Sequence, residues 1–356
     1  MQILGAAATA QALPWPALLA ALRRTLADHA AGLAQVPARQ VLALAPRTRW
    51  FVMPSWLVPA AGSTDPSNDL AAIKLITWAA GNPALGLPSI LGDVLVLRAS
   101  TGQRLALLDG PTVTARRTAA VTVLALQTWL GSAPAAQALA GRPAGPLLVV
   151  GTGVQALAHV QALAHVQALA HVQALAHVQA LVACCGVREV WVRGRTPARS
   201  REFAQALRAG QTDQSTPPVL PQGIRVWPAD DLPAALQRCP LVVTATPAQA
   251  PCLMGPLRAD ALVAAIGAFT PAMIELDPAL TRHIASTGQV LLDSADARHE
   301  AGDLLAAGIA TGHLPTLADL LAQPPAQRPA GPLLFKSCGH ALWDLAAARC
   351  AAGLLR

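Results

Sequence analysis

The stretch Val149-Val150-Gly151-Thr152-Gly153-Val154-Gln155-Ala156 decides the fold of this chain. A short apolar run that starts at Leu147 leads into its glycine turn, and a segment rich in alanine and leucine follows. A strand, a glycine turn and a helix in this order can hold a dinucleotide pyrophosphate at the helix N-terminus. The stretch therefore predicts a nucleotide-binding βαβ unit. The residues expected to contact the pyrophosphate are Gly151, Gly153, Gln155 and Ala156.

Strand-like and helix-like segments alternate after this point in the chain. Strands are predicted over 147–150, 189–192, 224–227, 241–245, 261–266 and 290–292, with helices after the first three. Such alternation favours an α/β fold with a Rossmann-type doubly wound parallel sheet, which we assign to residues 130–315. Residues 1–129 mix strand-like runs with Gly/Pro turns and end in a helix, so we expect an α+β domain there. We expect residues 316–356 to complete it, with a helix over 335–355.

A tandem repeat interrupts the first nucleotide-binding helix. The hexapeptide Gln-Ala-Leu-Ala-His-Val occurs four times without variation from Gln155 to Val178. One copy already completes a normal helix, and the three others add 18 residues, about 27 Å of helix. Six residues advance a helix by about 600°, so the repeated histidines spread in three directions and predict no metal site. A straight extension conflicts with the return to the next strand, so we expect a projecting segment and reduced stability or activity.

Composition narrows the class of protein. The 356 residues are 53% hydrophobic, but no apolar run approaches the ~20 residues that span a bilayer. The N-terminus lacks a signal-peptide pattern, and six cysteines without metal-ligand spacing suit reduced thiols, so a cytoplasmic location is expected. The net charge of +7 comes from scattered arginines with few aromatic residues. This pattern favours an anionic small molecule and cofactor over nucleic acid.

Basic residues at two places in the sequence indicate where charged ligands could bind. The chain has two lysines, Lys74 and Lys336, and the other 24 of its 26 basic residues are arginine. Two retained lysines suggest positions that need a compact ammonium, although chance retention is the alternative. After the second predicted strand, Arg193, Arg195 and Thr196 occupy the region where an NAD enzyme has an acidic residue. Cations there favour the 2′-phosphate of NADPH over NADH, and solvated surface arginines are the alternative.

Several motifs in order along the chain are similar to those of the ornithine cyclodeaminase/mu-crystallin family. The similarity covers nearly the full length. The segments that carry it are Met53-Pro54, Lys74-Leu75, Asn82 to Gly92, Thr101-Gly102, Leu108-Asp109-Gly110, Thr114 to Ala120, Gly151 to Ala156, Gly267-Ala268, Gly302 to Leu305 and Phe335-Lys336-Ser337.

The resemblance implies a homodimeric enzyme that acts on a small amino or imino acid. It implies that Arg39, Lys74 and Arg117 hold the substrate carboxylate, a role that suits bidentate guanidinium groups. The match at Arg39 rests on its spacing to Met53-Pro54, and a surface arginine is the alternative. The resemblance also makes the α+β domain the substrate-binding and dimerisation domain. It places Thr244, Thr246 and Gly267 near the nicotinamide.

One departure from the family pattern bears on the reaction. Cyclodeaminases have aspartate after a Gly-Ala pair, and this chain has Gly267-Ala268-Phe269. Phenylalanine transfers no proton, so the sequence resembles the bacterial cyclic ketimine reductases of the family more than its cyclodeaminases. The expected reaction is NADPH-dependent reduction of Δ1-pyrroline-2-carboxylate or Δ1-piperideine-2-carboxylate, with Lys74 or water handling the proton. A mu-crystallin-like binding protein, a variant impaired by the repeat and, less favoured, an ornithine cyclodeaminase are the alternatives.

Overall fold

The computed structural model describes residues 1–58, 66–129, 145–151, 169–209, 220, 222–323 and 330–354. The chain divides into two compact units. Unit 1 comprises Met1–Val121, Val166–Val172 and His340–Arg356, and unit 2 comprises Thr122–His165 and Gln173–Gly339. The chain therefore leaves unit 1 slightly before the predicted boundary at 129. It returns at 340 instead of 316, because residues 333–336 form a strand of the sheet in unit 2.

Unit 1 is built on a seven-stranded sheet. Elements are numbered along the chain. Its strands are β1 (Gln2–Leu4), β2 (Ala34–Gln35), β3 (Gln40–Ala45), β4 (Thr48–Leu57), β5 (Ala71–Ala79), β6 (Ile90–Leu97) and β7 (Arg104–Asp109). Their order is β1-β7-β6-β5-β4-β2, and β3 pairs with β4 outside this order. Among the described pairs, β1 and β7 are parallel and all the others are antiparallel. Alternate residues of β5 are buried, as expected when helices cover one face of a sheet.

Helices cover that buried face of the sheet. The helices of unit 1 are α1 (Ala6–Gln11), α2 (Trp15–Ala30) and α11 (Ala341–Leu354), and α3 (Gly110–Trp129) begins directly after β7. Helix α11 contacts α2 and strands β4, β5 and β6. Every residue from Ala341 to Ala351 is buried. Its many alanines allow close approach on all sides, so α11 is a central helix of unit 1.

Unit 2 contains a second seven-stranded sheet, and all its strand pairs are parallel. Its strands are β8 (Leu147–Val150), β9 (Glu189–Arg193), β10 (Arg225–Pro228), β11 (Leu241–Thr244), β12 (Leu262–Ala265), β13 (Gln289–Leu292) and β14 (Leu333–Lys336). The order is β10-β9-β8-β11-β12-β14-β13. The direction of winding reverses at β8, and in doubly wound sheets ligands bind beyond the strand ends at this point. The predicted Rossmann-type sheet is confirmed.

The remaining helices lie in the described part of residues 169–322. They are α4 (Leu169–Cys185), α5 (Pro197–Ala209), α6 (Leu232–Arg238), α7 (Pro278–Thr287), α8 (Ala297–Glu300), α9 (Gly302–Ala306) and α10 (Leu317–Ala322). The predicted helix over 335–355 is wrong at its start. Residues up to Lys336 belong to β14, because the apolar run Leu333 to Phe335 extends the core of the sheet and Gly339 turns the chain with φ +82°.

Helix α4 contains the end of the tandem repeat. It begins in the third copy and includes the whole fourth copy, whereas residues 155–168 lie outside the described part. From Ala176 to Val182 every residue is buried except Gln179. His177 of the fourth copy is fully buried, with Nε2 3.0 Å from Oγ1 of Thr122. Ala176, His177 and Val178 of the fourth copy are therefore packed inside unit 2. The predicted projecting segment falls on residues that the structure does not describe.

Two further predictions concern thiols and membranes. All six cysteines are free thiols in the structure. Among the described helices, none combines the length and the apolar character that crossing a bilayer requires.

Candidate active site

Lys74 lies at the centre of the sheet in unit 1, on the face that the helices cover. In the register of the sheet it is opposite Met53 on β4 and Val94 on β6, and Val94 is opposite Leu108 on β7. These three neighbours are apolar and buried, and Lys74 is itself only 1% exposed. A buried ammonium in an apolar row is unfavourable without a partner. This position therefore requires an acidic partner from another element.

Asp344 on α11 is that partner, and it also holds Arg117 on α3. The distance from Lys74 Nζ to Asp344 Oδ2 is 2.7 Å, and that from Arg117 Nε to Asp344 Oδ1 is 3.2 Å. Arg117 is 4% exposed and Asp344 is fully buried. One carboxylate thus lies between two cations that come from a strand and a helix.

The charges around Lys74 affect its proton affinity. The pKa of Lys74 is lowered to about 8, and burial is the largest cause. The positive charges of Arg117 and Arg39 contribute to the lowering, whereas Asp344 opposes it by favouring the ammonium. Since its pKa lies near neutrality, Lys74 can hold or release a proton under ordinary conditions.

The structure brings together the three residues assigned to the substrate carboxylate. Arg39 is half-buried just before β3, and its charge acts on Lys74. Arg117 Nε and Nη1 are buried and make no hydrogen bond to the described residues, so Nε contacts Asp344 as an ion pair, and no ion pair is found for Nη1 among those residues. The neighbouring Arg116 differs, because it donates to the carbonyl of Leu13 and stacks on Trp15. Two cations on one carboxylate leave this cluster with a net positive charge, which suits an anionic ligand.

A second group of predicted residues lies at one edge of the sheet in unit 2. Gly151 follows β8, Thr244 ends β11 with Thr246 just beyond it, and Gly267 follows β12. These strands are neighbours in the sheet and parallel, so the four residues meet at their carboxyl ends. Gly151 has φ +126°, and an added Cβ would lie 2.5 Å from the carbonyl oxygen of Ala245. The backbone atoms of Ala245 leave no room for a side chain at this position, so it requires glycine.

Glu275, which the sequence analysis did not identify, joins two of these strand ends. Its Oε1 accepts hydrogen bonds from the amide and hydroxyl of Thr246, and its Oε2 accepts from the amides of Gly267 and Ala268. The carboxylate is fully buried, and burial raises its pKa. Glu275 therefore fixes the loops beyond β11 and β12 in one arrangement.

Asp303 holds the backbone at Glu275 in place, and Lys336 pairs with Asp303. Asp303 Oδ1 accepts from the backbone amides of Glu275 and Leu276, and its Oδ2 lies 2.7 Å from Lys336 Nζ. Both side chains are fully buried. This ion pair explains the second lysine as a structural group of unit 2.

The residues assigned to a 2′-phosphate have different environments. The guanidinium of Arg193 donates to the carbonyls of Ala229 and Asp230, so it links β9 to the end of β10. Thr196 Oγ1 accepts from the amide of Arg199 and caps helix α5. Arg195 is exposed between them. Of the three, Arg195 has the side chain most accessible to an added anion, while Arg193 and Thr196 already serve the local structure.

The remaining predicted positions are the rest of the glycine turn and Phe269. Gly153, Gln155 and Ala156 lie outside the described residues. Phe269 is half-buried and packs against the core of unit 2, so no carboxylate replaces the family's aspartate at that position. The missed residue Asp344 did carry a signal, because it is the single acidic residue in the apolar segment 341–354.

Comparison with known proteins gives consistent matches. The model of the ornithine cyclodeaminase/mu-crystallin family matches residues 5–175. The chain is 38% identical to Delta(1)-pyrroline-2-carboxylate reductase 2 of Burkholderia ambifaria, over 97% of this chain and 93% of that protein. It is also 38% identical to the Delta(1)-pyrroline-2-carboxylate/Delta(1)-piperideine-2-carboxylate reductase of Azospirillum brasilense, over 98% of this chain and 94% of that protein.

A solved structure supports the same fold. Delta(1)-pyrroline-2-carboxylate reductase of Thermococcus litoralis, in complex with NADH and L-proline, is 22% identical, with a TM-score of 0.77 over 99% of this chain and 97% of that one. At this identity the match shows a shared fold. The two full-length relatives at 38% identity go further, and with the family model they show that this chain belongs to the ornithine cyclodeaminase/mu-crystallin family.

Proposed function

We propose that this protein reduces Δ1-pyrroline-2-carboxylate, Δ1-piperideine-2-carboxylate or both, with NADPH, to L-proline and L-pipecolate. The observation that carries the proposal is the buried cluster of Lys74, Arg117 and Asp344, with Arg39 beside it. Its net positive charge and the unpaired Nη1 of Arg117 suit a small carboxylate. The names of the relatives at 38% identity support the same substrates.

Three residues would act on the substrate. Arg117 and Arg39 would hold its carboxylate, and Lys74 would lie near the imine. A cyclic imine accepts hydride well when its nitrogen is protonated, and the low pKa of Lys74 suits a group that supplies or retains that proton. Hydride addition then forms the C2–H bond, the π electrons of C=N become the nitrogen lone pair, and the product is a secondary amine. A proton that leaves Lys74 returns from water.

The nicotinamide cofactor would bind at the strand ends of unit 2. When bound, it supplies the hydride. The backbone at Gly151 has no room for a side chain, as expected where a dinucleotide approaches closely. The loops at Thr246 and Gly267, which Glu275 holds by hydrogen bonds, also fit a dinucleotide. Thr244 Oγ1 is buried and has no hydrogen-bond partner among the described residues, so a bound group could satisfy it. Exposed Arg195 supports NADPH over NADH.

The protein would work as a homodimer through the outer face of the sheet in unit 1. Leu42, Trp50, Thr77 and Leu91 are opposite one another across β3 to β6, on the face away from Lys74. Leu42, Trp50 and Leu91 are between 36% and 46% exposed. An apolar row of this kind on a sheet face is typical of a protein–protein interface.

The test is an assay of NADPH oxidation with each cyclic imino acid, combined with an assay of ammonia release from ornithine. We expect reduction of at least one imino acid and, since Phe269 cannot transfer a proton, no ammonia from ornithine. Tight NADPH binding without turnover would favour a mu-crystallin-like binding protein. Turnover that appears only after three repeat copies are removed would identify a variant impaired by its repeat. Release of ammonia from ornithine would contradict the proposal.

A further inference from the structure

Asp344 occupies an unusual position in unit 1. It is fully buried on α11, and each of its carboxylate oxygens lies near a different cation. Lys74 comes from β5 and Arg117 from α3, so the carboxylate connects a strand and two helices. This carboxylate thus holds the two residues to which the proposed reaction assigns substrate contacts.

We propose that Asp344 is a positioning residue of the reductase site, which holds Lys74 and Arg117 in one fixed arrangement for the imine and its carboxylate. The inference rests on the proposed function for the roles of the two cations. The contact between Asp344 and Lys74 is independent of the substrate's identity. Asp344 acts through its neighbours and does not itself react.

The geometry explains why two neighbouring cations need such a residue. Lys74 and Arg117 repel each other in a buried site, where charges interact more strongly than in water. Asp344 offsets this repulsion and constrains both side chains. Its oxygens face Arg117 Nε and Lys74 Nζ, so Arg117 Nη1 is left for the substrate carboxylate.

Asp344 also affects the fraction of Lys74 that is protonated at a given pH. The charged groups that act on Lys74 are Asp344 from α11, Arg117 from α3 and Arg39 from the segment before β3. Of these three groups, only Asp344 favours the ammonium. Without it, burial and two positive charges remain, so Lys74 would lose its proton at a lower pH. An opposite charge at this range shifts a pKa by about 1–3 pH units.

The small number of lysines makes a direct measurement possible. Protein labelled with ¹³C at lysine Cε should give two signals, one from Lys74 and one from Lys336. A Lys336→Met variant assigns them. We expect the Lys74 signal to titrate with a midpoint of about 8 in the parent protein. In Asp344→Asn the midpoint should fall by about 1–3 pH units.

Asp303→Asn is the matched control, because Asp303 forms a fully buried pair with the other lysine at the same distance of 2.7 Å. Both variants remove a buried carboxylate and should lower stability. Only Asp344→Asn should move the Lys74 midpoint. If Asp344→Asn fails to fold, Asp344→Glu keeps the charge but changes its reach, and a midpoint near the parent value is expected for it.

Activity gives a second readout. In Asp344→Asn the alkaline fall of kcat/KM should move to lower pH together with the Lys74 signal. For a fall of about 1–2 pH units the loss should be about 3- to 25-fold at pH 7.5 and about twofold or less at pH 6, and for a fall of about 3 pH units it should still be many times smaller at pH 6 than at pH 7.5. An unchanged Lys74 midpoint in Asp344→Asn, or a loss of activity equal at all pH values, would overturn the inference. A shifted midpoint without any imino acid turnover would instead count against the proposed function alone.

Discussion

Lys74 and Lys336 are each buried and each lie 2.7 Å from an aspartate. In an arginine-rich chain, both positions have kept the compact ammonium, which suits a single short contact inside the protein better than a planar guanidinium does. Their surroundings separate their roles. Lys74 has Arg117 and Arg39 nearby and a pKa lowered to about 8, whereas Asp303 and Glu275 surround Lys336 with negative charge.

The role of Arg117 can be tested by its removal. Arg117→Ala should lose a charge-assisted pair with the substrate carboxylate, of about 1.5–3 kcal/mol. This corresponds to a fall in kcat/KM of about ten- to hundredfold, measured by steady-state NADPH oxidation. Arg116→Gln is the control, because Arg116 contacts Leu13 and Trp15 and should leave kcat/KM near the parent value. Normal kinetics of Arg117→Ala would show that the carboxylate binds elsewhere.

At the scale of elements, the turn between β9 and α5 is the part of unit 2 that should distinguish the two cofactors. Arg193 binds backbone carbonyls and Thr196 caps α5, which leaves Arg195 exposed between them. Arg195→Asp should therefore raise the KM for NADPH by about tenfold or more while it spares turnover with NADH. The measurement is a pair of kinetic titrations, with Arg208→Asp at the other end of α5 as control. Equal use of both cofactors by the parent protein would contradict this assignment.

Helix α4 poses a different question, because its sequence contains four identical copies of one hexapeptide. In the fourth copy Ala176, His177 and Val178 are buried. Removal of residues 155–172 leaves this copy directly after Val154 and keeps the sequence of the glycine turn unchanged. The shorter protein should be more stable, because the crossover between β8 and β9 no longer has to accommodate 18 residues.

The comparison requires thermal melts and NADPH titrations of the four-copy and one-copy proteins. We expect a higher Tm for the one-copy protein, by about 2–4 °C for each kcal/mol gained, and tighter NADPH binding. A three-copy protein that falls between the two would support a graded effect of length. Equal melting temperatures and equal affinities would show that the fold accommodates the extra residues without penalty.

At the scale of the whole molecule, the outer face of the sheet in unit 1 predicts self-association. Leu42→Glu combined with Leu91→Glu should place charges on the apolar row and convert a dimer into a monomer, as measured by light scattering after size exclusion. Leu305→Glu is the control, because Leu305 in unit 2 is similarly exposed. A parent protein that is monomeric at micromolar concentration would contradict the proposed homodimer.

The sequence by itself determined the strand that ends in the glycine turn and the parallel sheet around it. Alternation of apolar strands with helices and a glycine turn are local patterns, because strand and turn geometry depend on neighbouring residues. The same information indicated Lys74 and Arg117 through family motifs. The prediction from sequence was wrong at residues 333–336, where an apolar run next to an alanine-rich segment resembles the start of a helix. These residues form a strand because they pair with β12 and β13.

The tertiary structure alone decided what surrounds the reactive groups. Asp344 is distant in sequence from Lys74 and from Arg117, and no local spacing connects the three. Glu275 likewise reaches Thr246 and Gly267 only because parallel strands end at the same edge of the sheet. Burial and charge at such sites arise from contacts between distant segments. For this reason the lowered pKa of Lys74 and its dependence on Asp344 could be found only in the folded protein.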